Sequence, residues 1–119
     1  MKTIYIVDDS DTNLALAEEA LENDHRVMTL PSADKMFALL EKIKPDLILL
    51  DIEMPVMNGF EAIERLKANS SYSDIPVIFL TGTINASIEE KSKKLGCVDI
   101  VSKPFTASSL LNLVNSHLL

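Results

Sequence analysis

Three short apolar runs with no polar alternation punctuate the chain, and each ends on a polar residue. Ile4-Tyr5-Ile6-Val7 leads into Asp8-Asp9-Ser10-Asp11, Leu47-Ile48-Leu49-Leu50 into Asp51, and Ile75-Pro76-Val77-Ile78-Phe79-Leu80 into Thr81. Runs this short and this uniformly apolar predict strands buried on both faces of a parallel sheet. Pro76 stands near the start of its run, where a missing backbone donor is tolerated, and Pro55 forbids the Asp51 strand from continuing. Two further strands are predicted, a short and more exposed one at Arg26–Leu30 and a last short one at 98–101. The stretches between carry helical spacing: Leu14, Ala17 and Leu21 in the first, and Met36, Leu39, Leu40 and Ile43 in the second, where Ser32 is a candidate N-cap. Phe60, Ile63 and Leu66 mark a third helix after Asn58-Gly59, and 69–74 reads as a surface loop. A charged helix over 86–95 is closed by Gly96. The final helix, 106–118, places Leu111, Val114 and Leu118 on one side.

Five strands alternating with five helices predict an α/β fold: a parallel sheet with right-handed crossovers and helices on both faces. At 119 residues, one domain spanning 1–119 is expected, with no repeat or linker inside it. Charge then narrows the function. Eleven basic against eighteen acidic residues give a formal net charge of −7, which disfavours nucleic acid and anionic membrane surfaces as partners. Cys97 is the single cysteine, so no internal disulfide forms, and a small core residue in a reducing compartment is expected. Met1-Lys2-Thr3 opens onto an apolar strand without a signal-peptide layout, and no apolar run approaches the ~18 residues of a membrane span, so a cytoplasmic location is expected. His25 and His117 fall away from the strand ends and read as surface residues.

The chemistry collects at the C-terminal ends of the strands, where open α/β sheets place their ligands. The first strand delivers Asp8 and Asp9, the third Asp51, the fourth Thr81, and the fifth Ser102-Lys103-Pro104. Three carboxylates in one crevice repel one another and call for a cation. Oxygen-only ligands select a hard ion, of which Mg²⁺ is the expected one. Lys103 and Thr81 suit the oxygens of an anion beside that metal, most simply a phosphoryl group. Asp51 is then the candidate nucleophile, since carboxylates form acyl phosphates.

With these residues in place the chain resembles the receiver domain of two-component response regulators, from about Lys2 to Leu119. The shared motifs are Val7-Asp8-Asp9, Leu50-Asp51-Ile52-Glu53-Met54-Pro55-Val56-Met57-Asn58-Gly59, Leu80-Thr81-Gly82 and Lys103-Pro104-Phe105, in this order at four strand ends. The resemblance implies a flavodoxin-like (βα)5 three-layer sandwich with strand order 2-1-3-4-5. It implies phosphoryl transfer from a histidine kinase or phosphotransfer protein onto Asp51, which makes the chain a phosphoacceptor that assists its own chemistry rather than an enzyme. Asp9, Asp51 and the backbone carbonyl of Glu53 would ligate Mg²⁺ directly and Asp8 through water, while Thr81 and Lys103 would bind the phosphoryl oxygens. A cis Lys103–Pro104 bond is implied as well. A downstream protein, an output domain or a second copy of the chain would be met through 84–119.

Three positions depart from the family's usual pattern. Ile100 stands where an aromatic residue is usual, Gly82 where Ala is usual, and Glu53 adds an acid two residues past Asp51. For Glu53 the choice lies between a solvated loop carboxylate and a residue that tunes metal or water access. Ile100 keeps open the alternative of a degenerate receiver that docks without being phosphorylated. A haloacid-dehalogenase-type enzyme also uses an Asp nucleophile and Mg²⁺, but after its first strand and with a second Asp two residues on. Neither a GxGxxG nor a P-loop pattern occurs to support a nucleotide-binding module.

Overall fold

A computed structural model describes residues 1–118. Leu119, the last residue of the expected domain and of the expected partner surface, lies outside the described residues. Strands β1 (Thr3–Val7), β2 (Arg26–Leu30), β3 (Leu47–Asp51), β4 (Val77–Thr81) and β5 (Asp99–Ser102) alternate with helices α1 (Asp11–Leu21), α2 (Ala33–Leu40), α3 (Gly59–Ala68), α4 (Ala86–Leu95) and α5 (Ala107–Ser116). The five strands form one sheet in the order β2-β1-β3-β4-β5, every neighbouring pair parallel. This is the flavodoxin-like arrangement expected.

Alternate side chains of the apolar strands point to opposite faces, so each strand feeds two separate cores. Tyr5, Val7, Ile48, Leu50 and Phe79 meet Met36, Ile63 and Leu66 from α2 and α3. On the other face Ile4, Ile6, Leu47, Leu49, Ile78 and Leu80 meet Leu14 and Leu21 of α1 and Leu110 and Val114 of α5. Every residue of β3 is buried, Asp51 included. Each large side chain so buried contributes roughly 1.5–3 kcal/mol relative to exposure, which is why the sheet holds its strand ends still. The Tyr5 hydroxyl donates to the Ile43 carbonyl just past α2. Burial, and then the charge of Tyr72, push its pKa up to about 12.

Local chemistry explains the helix starts. Ser10, Ser32, Asn58, Asn85 and Thr106 are N-caps whose side chains accept a backbone N–H from the first turn, and Asn58 forms a reciprocal capping box with Glu61. Gly96 ends α4 at φ 94°, a left-handed conformation that suits glycine.

Several expectations need correction. β4 begins at Val77, after Pro76, and β5 is set one residue later than expected. Helix α2 stops at Leu40, with Ile43 packing from the loop beyond. The buried face of α5 is Leu110 and Val114, while Leu111 and Leu118 are only partly covered. His25 is not a surface residue. It is 9% exposed, and its Nε2 lies 2.7 Å from Asn115 Oδ1 of α5. Helix α4 is anchored lightly. Its one buried residue is Ser92, whose hydroxyl has no partner among the described residues, and Ile88 and Leu95 are half-buried. Lys91 adds a cation–π contact, 4.5 Å from the centre of the Phe60 ring, which in turn meets Phe79 edge-on at 5.6 Å.

Candidate functional site

The parallel register places the ends of β1, β3, β4 and β5 side by side, with Val7 opposite Leu50, Asp51 opposite Leu80, and Thr81 opposite Ser102. Asp8 continues β1 by one residue, and its backbone N–H is bound by the Leu30 carbonyl at 3.1 Å. Its Oδ1 accepts the Ser10 N–H at 2.9 Å, which fixes the carboxylate at the entry to α1. Asp8 and Asp51 are both buried, while Asp9 is exposed at the rim. One carboxylate oxygen from each of Asp8, Asp9 and Asp51 falls within a set whose members all lie within 4.8 Å of one another.

Lys103 closes the site from β5. Its backbone N–H is held by the Thr81 carbonyl at 2.8 Å, and the Lys103–Pro104 peptide is cis. Its ammonium lies 2.9 Å from Asp51 Oδ1 and 3.4 Å from Asp8 Oδ2, with the side chain 17% exposed. Burial pushes the Asp51 carboxyl up to about 7; the Lys103 hydrogen bond opposes this and the Asp8 charge adds to it. Burial pulls Lys103 down, but the hydrogen bond to Asp51 and the charges of Asp51 and Asp8 outweigh it and leave the ammonium above its ordinary value. The two directions are compatible. Loss of the Asp51 proton is opposed by burial, and once it is lost the charge pairs with Lys103.

The loop after Asp51 is pinned to the sheet at both ends. The Ile52 N–H donates to the Leu80 carbonyl at 3.0 Å, and Gly59 N–H returns to the Ile52 carbonyl at 2.9 Å. Between them Val56 takes φ 70°, a sparsely populated region for a β-branched residue, and is 95% exposed. Strain of this kind is stored where the surrounding structure over-determines the backbone, here by the two pins.

The structure therefore brings Asp8, Asp9, Asp51 and Lys103 together as the sequence predicts. Thr81 lies at the same edge, but its hydroxyl is engaged elsewhere. It donates to Glu53 Oε1 at 2.6 Å, sits 3.0 Å from the Thr83 carbonyl, and accepts the Thr83 N–H at 3.1 Å. Glu53 is thus more than a solvated loop carboxylate, and its own N–H reaches Asp51 Oδ1 at 3.3 Å. Sequence reasoning missed this pairing. The register, which sets Asp51 opposite Leu80, leaves Glu53 on the loop just past the strand end within reach of Thr81, and no local stretch of sequence signals that approach.

Ile100 packs, half-buried, against the core on the α2–α3 face of the sheet. A groove of about 550 Å³ runs between α4 and β5, lined by Ile84, Glu89, Lys93, Val98 and Ile100 among others. No helix among the described residues is long and apolar enough to cross a membrane.

Comparison with known proteins agrees with this geometry. A probable cyclic di-GMP phosphodiesterase of Vibrio cholerae is 41% identical over 116 residues, which cover 98% of this chain but 26% of that protein. The chain thus spans about a quarter of the length of that relative. Protein PilH of Pseudomonas aeruginosa is 35% identical over 119 residues, covering 99% of this chain and 98% of PilH. Among solved structures, the chemotaxis protein CheY4 of Vibrio cholerae superposes with a TM-score of 0.94 at 28% identity, covering 99% of both chains. Residues 4–115 match the model of the response regulator receiver domain. Motif order, sheet order and these matches coincide, and the chain belongs to the response regulator receiver domain family.

Proposed function

We propose that this receiver domain takes a phosphoryl group onto Asp51 from the phosphohistidine of a histidine kinase or phosphotransfer protein. The observation that carries the reading is the buried Asp51 carboxylate at the end of β3, 2.9 Å from the Lys103 ammonium, with Asp8 and Asp9 oxygens within 4.8 Å. An Asp51 oxygen forms the new O–P bond while the donor's P–N bond breaks, its electron pair remaining on the imidazole nitrogen. Lys103 pairs with the phosphoryl oxygens in place of the free carboxylate, and Thr81 offers them its hydroxyl. Asp8, Asp9, Asp51 and the Glu53 backbone carbonyl are the groups that would hold Mg²⁺. An all-oxygen, net-negative donor set of this spacing fits a small hard cation. Mg²⁺ supplies neutralisation of the clustered carboxylate and phosphoryl charge when bound.

Incubation with acetyl phosphate and Mg²⁺ should add one phosphoryl mass to the wild-type domain. Prior EDTA treatment should abolish the addition, and so should Asp51→Asn. Labelling of Asp51→Asn to the wild-type extent would overturn the assignment, and an unlabelled wild type would leave a docking module that works without phosphorylation.

The output surface in this reading is 84–118, centred on α4, β5 and α5, and it takes a downstream protein, an output domain or a second copy. The lightly anchored α4 and the groove beside it support that choice. Amide exchange with and without beryllofluoride is expected to change over 84–100. Changes limited to α1 and α2 would place the output elsewhere.

A further inference from the structure

The Thr81 hydroxyl has one hydrogen to give, and in this structure Glu53 takes it. The 2.6 Å Oγ1–Oε1 separation is that of a charge-assisted hydrogen bond, shorter than the 3.0 Å to the Thr83 carbonyl. One acceptor lone pair takes the Thr83 N–H at 3.1 Å, and the hydrogen directed at Glu53 is the only one that Thr81 has to give. Thr81 is fully buried at the end of β4, whereas Glu53 is exposed on the loop, so the carboxylate is the mobile partner. A phosphoryl group on Asp51 needs the same hydrogen.

We infer that Glu53 is a positioning residue acting through Thr81: it competes with the phosphoryl group for the hydroxyl and must let go before Thr81 can turn to Asp51. The inference rests on the phosphoacceptor reading and adds to it a residue that sets how readily the site fills. Two effects of Glu53 are separable. Its charge repels any anion on Asp51 whether or not Thr81 has a hydroxyl, while its hold on Thr81 requires that hydroxyl. A double-mutant cycle distinguishes them.

The test titrates beryllofluoride at fixed saturating Mg²⁺ and reads occupancy from the ¹⁹F resonance of the bound species. Glu53→Ala should lower the half-saturating concentration about tenfold, the size of one charge-assisted hydrogen bond no longer competed for. In a Thr81→Ala background the same Glu53→Ala change should shift it by less than about twofold, the part due to charge alone. In a Thr81→Ser background, where the hydroxyl is retained, the tenfold effect should return. An equal Glu53→Ala effect in all three backgrounds would overturn the inference and leave the phosphoacceptor reading standing. So would unchanged or weaker binding in Glu53→Ala alone. A wild-type protein that takes up no beryllofluoride would overturn that reading and this inference together. Glu53 lies on the surface and is expected to tolerate Ala without loss of fold, which the amide spectrum checks directly.

Discussion

Gly59→Ala is expected to destabilise the domain by about 3 kcal/mol or more, lowering the melting temperature by roughly 10–20 °C. A Cβ at this first residue of α3 would stand 2.5 Å from the Asp51 carbonyl oxygen, 2.8 Å from the Ile52 Cα and 3.1 Å from the Asp51 carbonyl carbon. All three are backbone atoms of the end of β3 and the residue beyond it, so no side chain can swing aside. Either the start of α3 retreats and breaks the Gly59–Ile52 hydrogen bond, or the Asp51 backbone shifts. Both outcomes disturb Asp51, the proposed phosphoacceptor, and labelling with acetyl phosphate should fall with stability. Gly82→Ala is the matched control. A Cβ there meets nothing within 4 Å and the backbone is not left-handed, so its melting temperature should stay within a few degrees of wild type. Equal melting temperatures for the two variants would refute the steric account.

The second large effect is on the pH dependence of the metal-free domain. Asp51 has its pKa raised from 3.8 in the unfolded chain to about 7 in the folded one, burial being the main cause. A raised carboxyl pKa means that the folded state holds the proton more tightly. Between about pH 4 and pH 7 the native protein keeps a proton that the unfolded chain has lost, so stability falls as pH rises across that window and levels off above it. At 1.36 kcal/mol per unit the ceiling is about 4 kcal/mol, a figure in which the opposing Lys103 ion pair is already included. In EDTA, the wild type should lose several degrees of melting temperature relative to Asp51→Asn between pH 5 and pH 8. Millimolar Mg²⁺ at pH 8 should recover most of that loss, because a cation that binds only the folded carboxylate cluster stabilises it by mass action. Parallel wild-type and Asp51→Asn curves across the window would show that Asp51 is not held protonated by burial.

The sheet and most of the site were legible in the chain because both rest on local, unambiguous signals. An apolar run without alternation admits few readings other than a doubly covered strand, and the residue that ends it is then placed by the fold. Asp8, Asp51 and Thr81 were found in that way. Features decided by a neighbouring element were not legible. The final helix offers Leu110, Leu111, Leu113, Val114 and Leu118, enough for several stripes, and contact with α1 selects Leu110 and Val114. His25 is covered where its ring meets Asn115 of α5, ninety positions away in the chain. The Glu53–Thr81 bond depends on the β3–β4 register, which no single stretch of sequence contains.

The poor seating of α4 bears on how small a signal suffices. Inverting a two-state preference from 99:1 to 1:99 requires about 5.5 kcal/mol of differential stabilisation, a large demand on one phosphoryl group and a few hydrogen bonds. In α4 the one buried side chain is Ser92, whose hydroxyl has no partner among the described residues, so little apolar burial opposes a movement of this helix. Displacing it uncovers the half-buried Ile88 and Leu95 but no fully buried apolar side chain, and it lets the Ser92 hydroxyl reach water. In α1, where Leu14, Ala17 and Leu21 are all buried, the same movement would cost several times more. If α4 carries the output proposed above, its thin apolar footing lowers the differential stabilisation that a phosphoryl group on Asp51 has to supply.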